Sequence, residues 1–204
     1  MTLFIATNNA HKVKELEELF PGIRLRTPAD AGIGFDHDET EDTFLGNSLG
    51  KARALYNLVK APVLADDSGL CVDALDGAPG VRSARYGSPD DGRTVLSAGE
   101  KNSLLLRQMA GRTDRSCRFV CAMTLMLSDY RFVSVQETCE GRLLESPRGA
   151  GGFGYDPVFF LPGEGLSMAE LSLERKNRLS HRGRAAARIL AVLASLEDGD
   201  RGRG

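Results

Sequence analysis

Apolar residues along the chain gather into short runs whose period changes between stretches. Leu3 to Ala6 is a compact apolar run that predicts a first strand. Thr7, Asn8 and Asn9 then offer helix N-caps ahead of Val13, Leu16, Leu19 and Phe20, the spacing of an amphipathic helix that Pro21-Gly22 ends. A second helical pattern runs from Thr43 to about Lys60, with Phe44, Ala52, Leu55 and Val59 on one side and Asn47 and Lys51 sharing another. Val63 to Ala65 reads as a short buried strand that stops at Asp66, Asp67, Ser68 and Gly69. Asp91 to Met109 predicts a helix closed by Gly111. Cys117, Phe119, Cys121, Met123, Leu125 and Leu127 alternate with their neighbours, which predicts a long half-buried strand; Arg131 to Thr138 pairs with it across Ser128-Asp129-Tyr130 as a hairpin. Val158 to Leu161 is a further strand, Ser167 to Glu170 a capping box, and Ala185 to Leu196 a final apolar helix. The polar, glycine-rich end, 197–204, is expected to fray.

Composition narrows the function without naming it. A chain of 204 residues, 42% hydrophobic and 26% charged, has enough material to bury a core. Its formal net charge of -2 supplies no overall basic field for a nucleic acid polymer or an anionic membrane, and no apolar run reaches the length of a membrane span. The start, Met1 into Leu3 to Ala6, has neither a basic stretch nor a long apolar one, so a cytoplasmic protein is expected. Cys71, Cys117, Cys121 and Cys139 lack paired ligand spacing and read as small hydrophobic filler rather than as zinc ligands or disulfides.

Candidate chemistry centres on Asp66-Asp67. A strand end that delivers a rigid carboxylate is a place for a metal ion or a water-activating base, and adjacent strand residues face opposite ways. The alternative is a turn built from Asp, Ser and Gly. Thr7 to Lys12 reads either as a capped helix start or as an anion cradle with Lys12 in its first turn. Gly46 to Ala52 falls one residue short of a phosphate loop, with Ala where a magnesium-binding hydroxyl belongs. Gly149 to Gly154 matches GxGxxG only formally, since no strand precedes it and Pro157 forbids the following helix. It reads instead as a glycine loop presenting Phe153, Tyr155 and Asp156, with Phe153 a stacking platform for a base. Arg175, Lys176, Arg178, His181, Arg182 and Arg184 form a basic cluster before the last helix, an anion-facing hinge.

In order and wording these pieces resemble the inosine triphosphate pyrophosphatase family. Thr7-Asn-Asn-Ala-His-Lys12 resembles its T-x-N-x-x-K motif; Glu39 to Phe44 with Asn47 to Ala52 resembles its second motif. Ala65 to Leu70, Gly77 to Gly80 with Ser83 to Tyr86, Gly151 to Pro157 and Ser180 to Gly183 complete the set, so the resemblance runs from Ile5 to about Ala187. It implies a single α/β domain over 1–204 with two lobes, a long curved mixed sheet flanked by helices, and an active site in the cleft between the lobes. It also implies a homodimer that uses Mg2+ to hydrolyse ITP, dITP and XTP to the monophosphate and pyrophosphate.

Carried over by position, the resemblance makes Asp67 the general base and a metal ligand, with Glu39 as a second ligand and Asp66 a further candidate. Thr7, Asn8, Asn9, Ala10, His11, Lys12, Lys51, Ser68 and Lys176 are expected on the phosphates. Phe153 is expected to stack on the base, Gly154 and Tyr155 to be among the substrate-binding residues, and Asp156, His181 and Arg182 to read the base edge. Two positions depart from the family: Gly46 stands where Glu is common and Ser48 where Ala is common. If that Glu serves the metal in relatives, this chain relies more on Glu39 and Asp67. The alternatives are a same-fold pyrophosphatase for other or modified nucleotides and a nucleotide sensor without the chemistry. His181-Arg182 with the Phe153 loop favours a 6-oxopurine, and the presence of Asp67 favours an enzyme.

Overall fold

A computed structural model describes residues 1–90 and 93–201, with 197–201 described by backbone alone. Seven strands form one mixed sheet in the order β2-β1-β3-β4-β5-β6-β7. They are β1 (Thr2–Ile5), β2 (Arg24–Arg26), β3 (Val63–Val72), β4 (Ser116–Ser128), β5 (Arg131–Leu143), β6 (Phe159–Leu161) and β7 (Leu166–Ser167). β1 pairs in parallel with β2 and β3, while β5, β6 and β7 pair antiparallel. The helices are α1 (Ala10–Leu19), α2 (Phe44–Val59), α3 (Ala98–Gln108), α4 (Leu173–Leu179) and α5 (His181–Arg201). The chain divides into two compact units: Met1–Asp67, Cys121–Glu137 and His181–Gly204 in the first, Ser68–Val120 and Thr138–Ser180 in the second.

In the first unit the sheet carries helices on both faces, and strand alternation sorts its side chains between them. Leu3, Ile5, Leu64, Cys121, Met123 and Leu125 pack with Leu16 and Phe20 of α1 and with Ala185, Ala186 and Ile189 of α5. The residues between them, Ala6, Val63, Ala65 and Met126, pack with Ala52 and Leu55 of α2. Both faces of β4 are therefore buried from Val120 to Met126, in place of the half-buried strand that the alternation of Cys121 to Leu127 predicts. The second face is smaller and partly polar: Ser48 Oγ of α2 lies within hydrogen-bond distance of the Ala65 carbonyl at 3.2 Å and of Thr124 Oγ1 at 3.0 Å. In the second unit, Leu70, Val72, Leu105, Met109, Phe119, Tyr155, Val158 and Phe159 form a separate core, with the Phe119 and Phe159 rings 4.3 Å apart. The buried cysteines are spread over both cores, and burial pushes the thiols of Cys117 and Cys121 up to about 12.

Several boundaries differ from the sequence expectation. β3 does not stop at Asp66 but continues through Asp67, Ser68 and Gly69 to Val72, so the paired carboxylates lie mid-strand. Gly69 is needed there for space, not for a turn. A Cβ at Gly69 would lie 2.4 Å from Ser83 Oγ and 2.5 Å from the Gly80 carbonyl, and that hydroxyl accepts the Leu70 amide at 2.9 Å. Helix α3 starts at Ala98, not Asp91, because Ser97 and Glu100 close a capping box; Asp91 and Gly92 lie outside the described residues. The basic hinge is helical: Arg175, Lys176 and Arg178 belong to α4, and α5 begins at His181 rather than Ala185. α5 runs to Arg201, and the end of the stretch expected to fray, 202–204, lies outside the described residues. Strand β2, three residues with no pattern of their own, went unpredicted. The near-phosphate-loop Gly46 to Ala52 is the interior of α2, where a Cβ on Gly46 would come within 2.9 Å of Glu41 Cβ.

Gly69→Ala tests the close approach of β3 to the Gly80–Ser83 turn. It should lower the unfolding free energy by about 1–3 kcal/mol in urea denaturation, the usual cost of overpacking. Unchanged stability would mean that the turn moves aside without loss.

Candidate active site

Asp66 and Asp67 are both almost fully buried, and the alternation of β3 sends them to opposite faces of the sheet in the first unit. Asp66 takes the face of α1 and α5. Its Oδ1 lies 3.3 Å from Lys12 Nζ, and its Oδ2 accepts Arg182 Nε at 3.2 Å and Nη2 at 3.0 Å. The other side of the guanidinium, Nη1, donates to Glu15 Oε2 at 2.6 Å. Arg182 is 3% exposed, so two cations and two carboxylates form a buried charge cluster. Burial favours the neutral acid at Asp66, but the charges of Lys12, Arg182 and Lys51 outweigh it and hold the carboxyl well below the usual carboxylate range. Arg182 is in turn held firmly protonated: Asp66 and Glu15 overcome the cost of burying its charge.

Asp67 takes the α2 face, as Val63 and Ala65 do. Asn47 and Lys51, one turn apart on α2, both reach it: Asn47 Nδ2 donates to Oδ2 at 3.2 Å and Lys51 Nζ lies 3.3 Å from Oδ1. Lys51 Nζ also donates to Glu39 Oε1 at 2.7 Å and to the Asp66 carbonyl at 2.8 Å. One lysine thus draws together two carboxylates from distant parts of the sequence. Burial, reinforced by Glu39 and Asp66 against the pull of Lys51 and Lys12, raises the Asp67 carboxyl to about 6. Neighbouring aspartates on one strand therefore have their acidities driven apart.

The start of α1 satisfies itself. Asn9 Oδ1 accepts the amides of His11 at 2.9 Å and Lys12 at 3.3 Å, Thr7 Oγ1 accepts the Asn9 amide, and Asn8 donates to the Phe35 carbonyl at 2.7 Å. Ala10 and His11 are exposed in the first turn. Ser68 follows Asp67 along β3 and is half-buried. His181 opens α5 beside Arg182 and is buried.

In the second unit the glycine loop presents a half-buried Phe153. Lys176 Nζ lies 4.9 Å from the centre of the Phe153 ring, held there by a 2.7 Å hydrogen bond to Asp156 Oδ2, which also accepts the Phe153 amide at 2.8 Å. Gly152 permits this arrangement, because a Cβ there would sit 2.0 Å from Asp156 Oδ2. Tyr155 is turned inward and its hydroxyl donates to the Ser83 carbonyl at 3.0 Å. Lys176, expected among the phosphate residues, is thus found with Phe153 and Asp156. Glu15 was missed altogether: its sequence setting, Lys-Glu-Leu-Glu-Glu, reads as a solvated helix face. Its position three residues after Lys12 on the helix was the only signal of its role.

The raised pKa of Asp67 has a measurable consequence in the metal-free protein. The folded carboxyl at about 6 lies above its unfolded value of roughly 3.9. Between those limits the folded form holds a proton that the unfolded chain has released. Lowering the pH from about 6 to about 4 should therefore stabilise the protein, and Asp67→Asn should remove that part of the slope. Asp66 works in the opposite sense, but its contribution is intact above about 3.9 and is lost only below it. Chelator-treated protein unfolded by urea at stepped pH gives the measurement; identical slopes in the two proteins would refute the assignment.

Comparison with known proteins supplies the family. The model of the Ham1 family matches residues 3–192. A dITP/XTP pyrophosphatase of Treponema denticola is 52% identical over 185 residues, covering 91% of this chain and 94% of that protein. One from Geobacillus kaustophilus is 44% identical over 193 residues, covering 92% and 91%. A solved HAM1 protein from Coxiella burnetii superimposes with a TM-score of 0.85 at 34% identity, covering 96% of this chain and 99% of that one. With near-complete coverage in all of these comparisons, the chain belongs to the Ham1 family.

Proposed function

We propose that this protein is a nucleoside triphosphate pyrophosphatase that hydrolyses the non-standard purine nucleotides ITP, dITP and XTP to the monophosphate and pyrophosphate. The observation that carries the reading is the convergence of Asp67 and Glu39 on Lys51 beside an Asp66 locked into its own charge cluster. Relatives named dITP/XTP pyrophosphatases supply the substrate class. With the family resemblance goes the expectation of a cytoplasmic homodimer. Among the described residues no helix is long and apolar enough to cross a membrane.

The donor set fits magnesium. Glu39 and Asp67 are carboxylates brought onto one cation, and burial without enough positive charge raises Asp67. The protein would offer magnesium two carboxylates, Glu39 and Asp67. That suits a hard ion that takes one or two carboxylates and completes its shell from phosphates and water. Asp66 is left off the metal, since both its oxygens already face Lys12 and Arg182. Bound magnesium supplies positive charge to the triphosphate and acidity to water.

Asp67 accepts the proton of the attacking water, and the α–β phosphoanhydride breaks as pyrophosphate leaves. Thr7 to Lys12, Lys51 and Ser68 are assigned to the phosphates, where positive charge and hydrogen-bond donors offset the anion. Phe153 stacks on the base. Asp156, Lys176, His181 and Arg182 are assigned to its edge, with Asp156 and Glu15 fixing Lys176 and Arg182 in orientation. A 6-oxo group accepts from such donors. The 6-amino group of adenine leaves one unpaired, at about 1–3 kcal/mol.

Hydrolysis of ITP, XTP, GTP, ATP and TTP, with pyrophosphate and orthophosphate measured separately, tests the reading. Pyrophosphate should be released in a magnesium-dependent reaction, with ITP and XTP favoured over ATP by roughly five- to 150-fold in kcat/KM. Orthophosphate as the product, or binding without turnover, would overturn it.

A further inference from the structure

Helix α3 buries one stripe towards the core of the second unit, and that stripe contains a polar residue, Asn102, alongside Leu105. Asn102 is 5% exposed, and its Nδ2 donates to the Gly154 carbonyl at 3.1 Å. Its Oδ1 has no hydrogen-bond partner among the described residues. A half-satisfied buried amide is a poor way to fill a core, where Leu of similar size would bring no amide oxygen to leave unpaired. What the amide achieves is a tether between α3 and the loop that carries Phe153.

The loop needs one. Gly149, Gly152 and Gly154 all have positive φ (79°, 69° and 63°), conformations that glycine adopts at little cost and can leave as easily. On the near side of Phe153 the loop is fixed by the Gly151 amide on the Ala169 carbonyl at 3.0 Å and by the Phe153 amide on Asp156. On the far side the chain turns at Gly154, and Asn102 holds the carbonyl at that turn. Tyr155 then re-enters the core.

We infer that Asn102 is a positioning residue for base recognition, its side-chain amide holding the Gly154 carbonyl so that the Phe153 ring stands as a fixed platform for a purine. The inference rests on the proposed pyrophosphatase reading. It assigns to α3 a part in substrate selection although the helix carries none of the residues that bind the nucleotide. Loss of the tether leaves Phe153 present but less firmly placed, so binding weakens through the base while the hydrolytic step is untouched.

The test compares Asn102→Leu, which keeps size and packing, with Phe153→Ala and the double variant, by KM and kcat for ITP; Asn102→Ala stands in should the leucine variant fail to fold. Asn102→Leu should raise KM about fivefold, the equivalent of one neutral hydrogen bond, with kcat within about twofold. In the Phe153→Ala background it should add nothing, because there is no ring left to position. An unchanged KM, or a full additive increase in the double variant, would overturn the inference. Absence of pyrophosphate release from ITP by the unsubstituted protein would instead overturn the functional reading on which it rests.

Discussion

Neighbouring side chains on an extended strand leave it in opposite directions, and in β3 this rule falls on two consecutive aspartates. Because helices cover both faces of that part of the sheet, neither carboxylate reaches open solvent, and each must be stabilised by what its own face provides. Asp66 meets Lys12, Arg182 and, behind Arg182, Glu15. Asp67 meets Asn47 and Lys51, with Glu39 beyond. One strand thereby generates two electrostatic environments from the same residue type at adjacent positions.

The two environments differ in charge balance, and the proposed roles follow that difference. A buried ionised carboxylate is costly unless paired and hydrogen-bonded. In the Asp66 cluster Lys12 and Arg182 face Asp66 and Glu15, and Asp66 is held well below the usual carboxylate range. On the α2 side Lys51 faces both Asp67 and Glu39, and burial raises Asp67 to about 6. A carboxylate with unmet demand for positive charge is suited to hold a divalent cation and to take a proton from water. A fully compensated one is suited to hold a helix and an arginine in place. The second unit repeats the theme on a smaller scale, where Asp156 fixes Lys176 over the Phe153 ring.

Much of this was legible in the sequence, and what was not has identifiable causes. The two-sided placement of Asp66 and Asp67 followed from alternation alone, and Asn47 with Lys51 from helical spacing. The length of β3 did not follow, because Asp-Asp-Ser-Gly has the local preferences of a turn, and its place between β1 and β4 and the Gly80–Ser83 approach at Gly69 exist only in the fold. Burial of both faces of β4 was hidden because Ala122 and Thr124 do not read as core, and Thr124 meets Ser48 of α2 only in the fold. Glu15 and Asn102 were invisible for opposite reasons. The first is one Glu among several on a charged helix; the second is an amide on an apolar stripe, a pattern break that carries no chemistry until the glycine loop lies against it.

The most direct measurement is the unfolding free energy and turnover of Asp66→Asn and Asp67→Asn, side by side at neutral pH. Asp66→Asn should lose about 3 kcal/mol of stability, since Lys12 and Arg182 are left in a buried cluster short of one negative charge. Asp67→Asn should match or exceed the stability of the unsubstituted protein, because it removes a destabilised carboxylate, and should lose turnover. Equal destabilisation by the two substitutions, or an Asp67→Asn protein that still turns over, would contradict the division of labour between the two faces of β3.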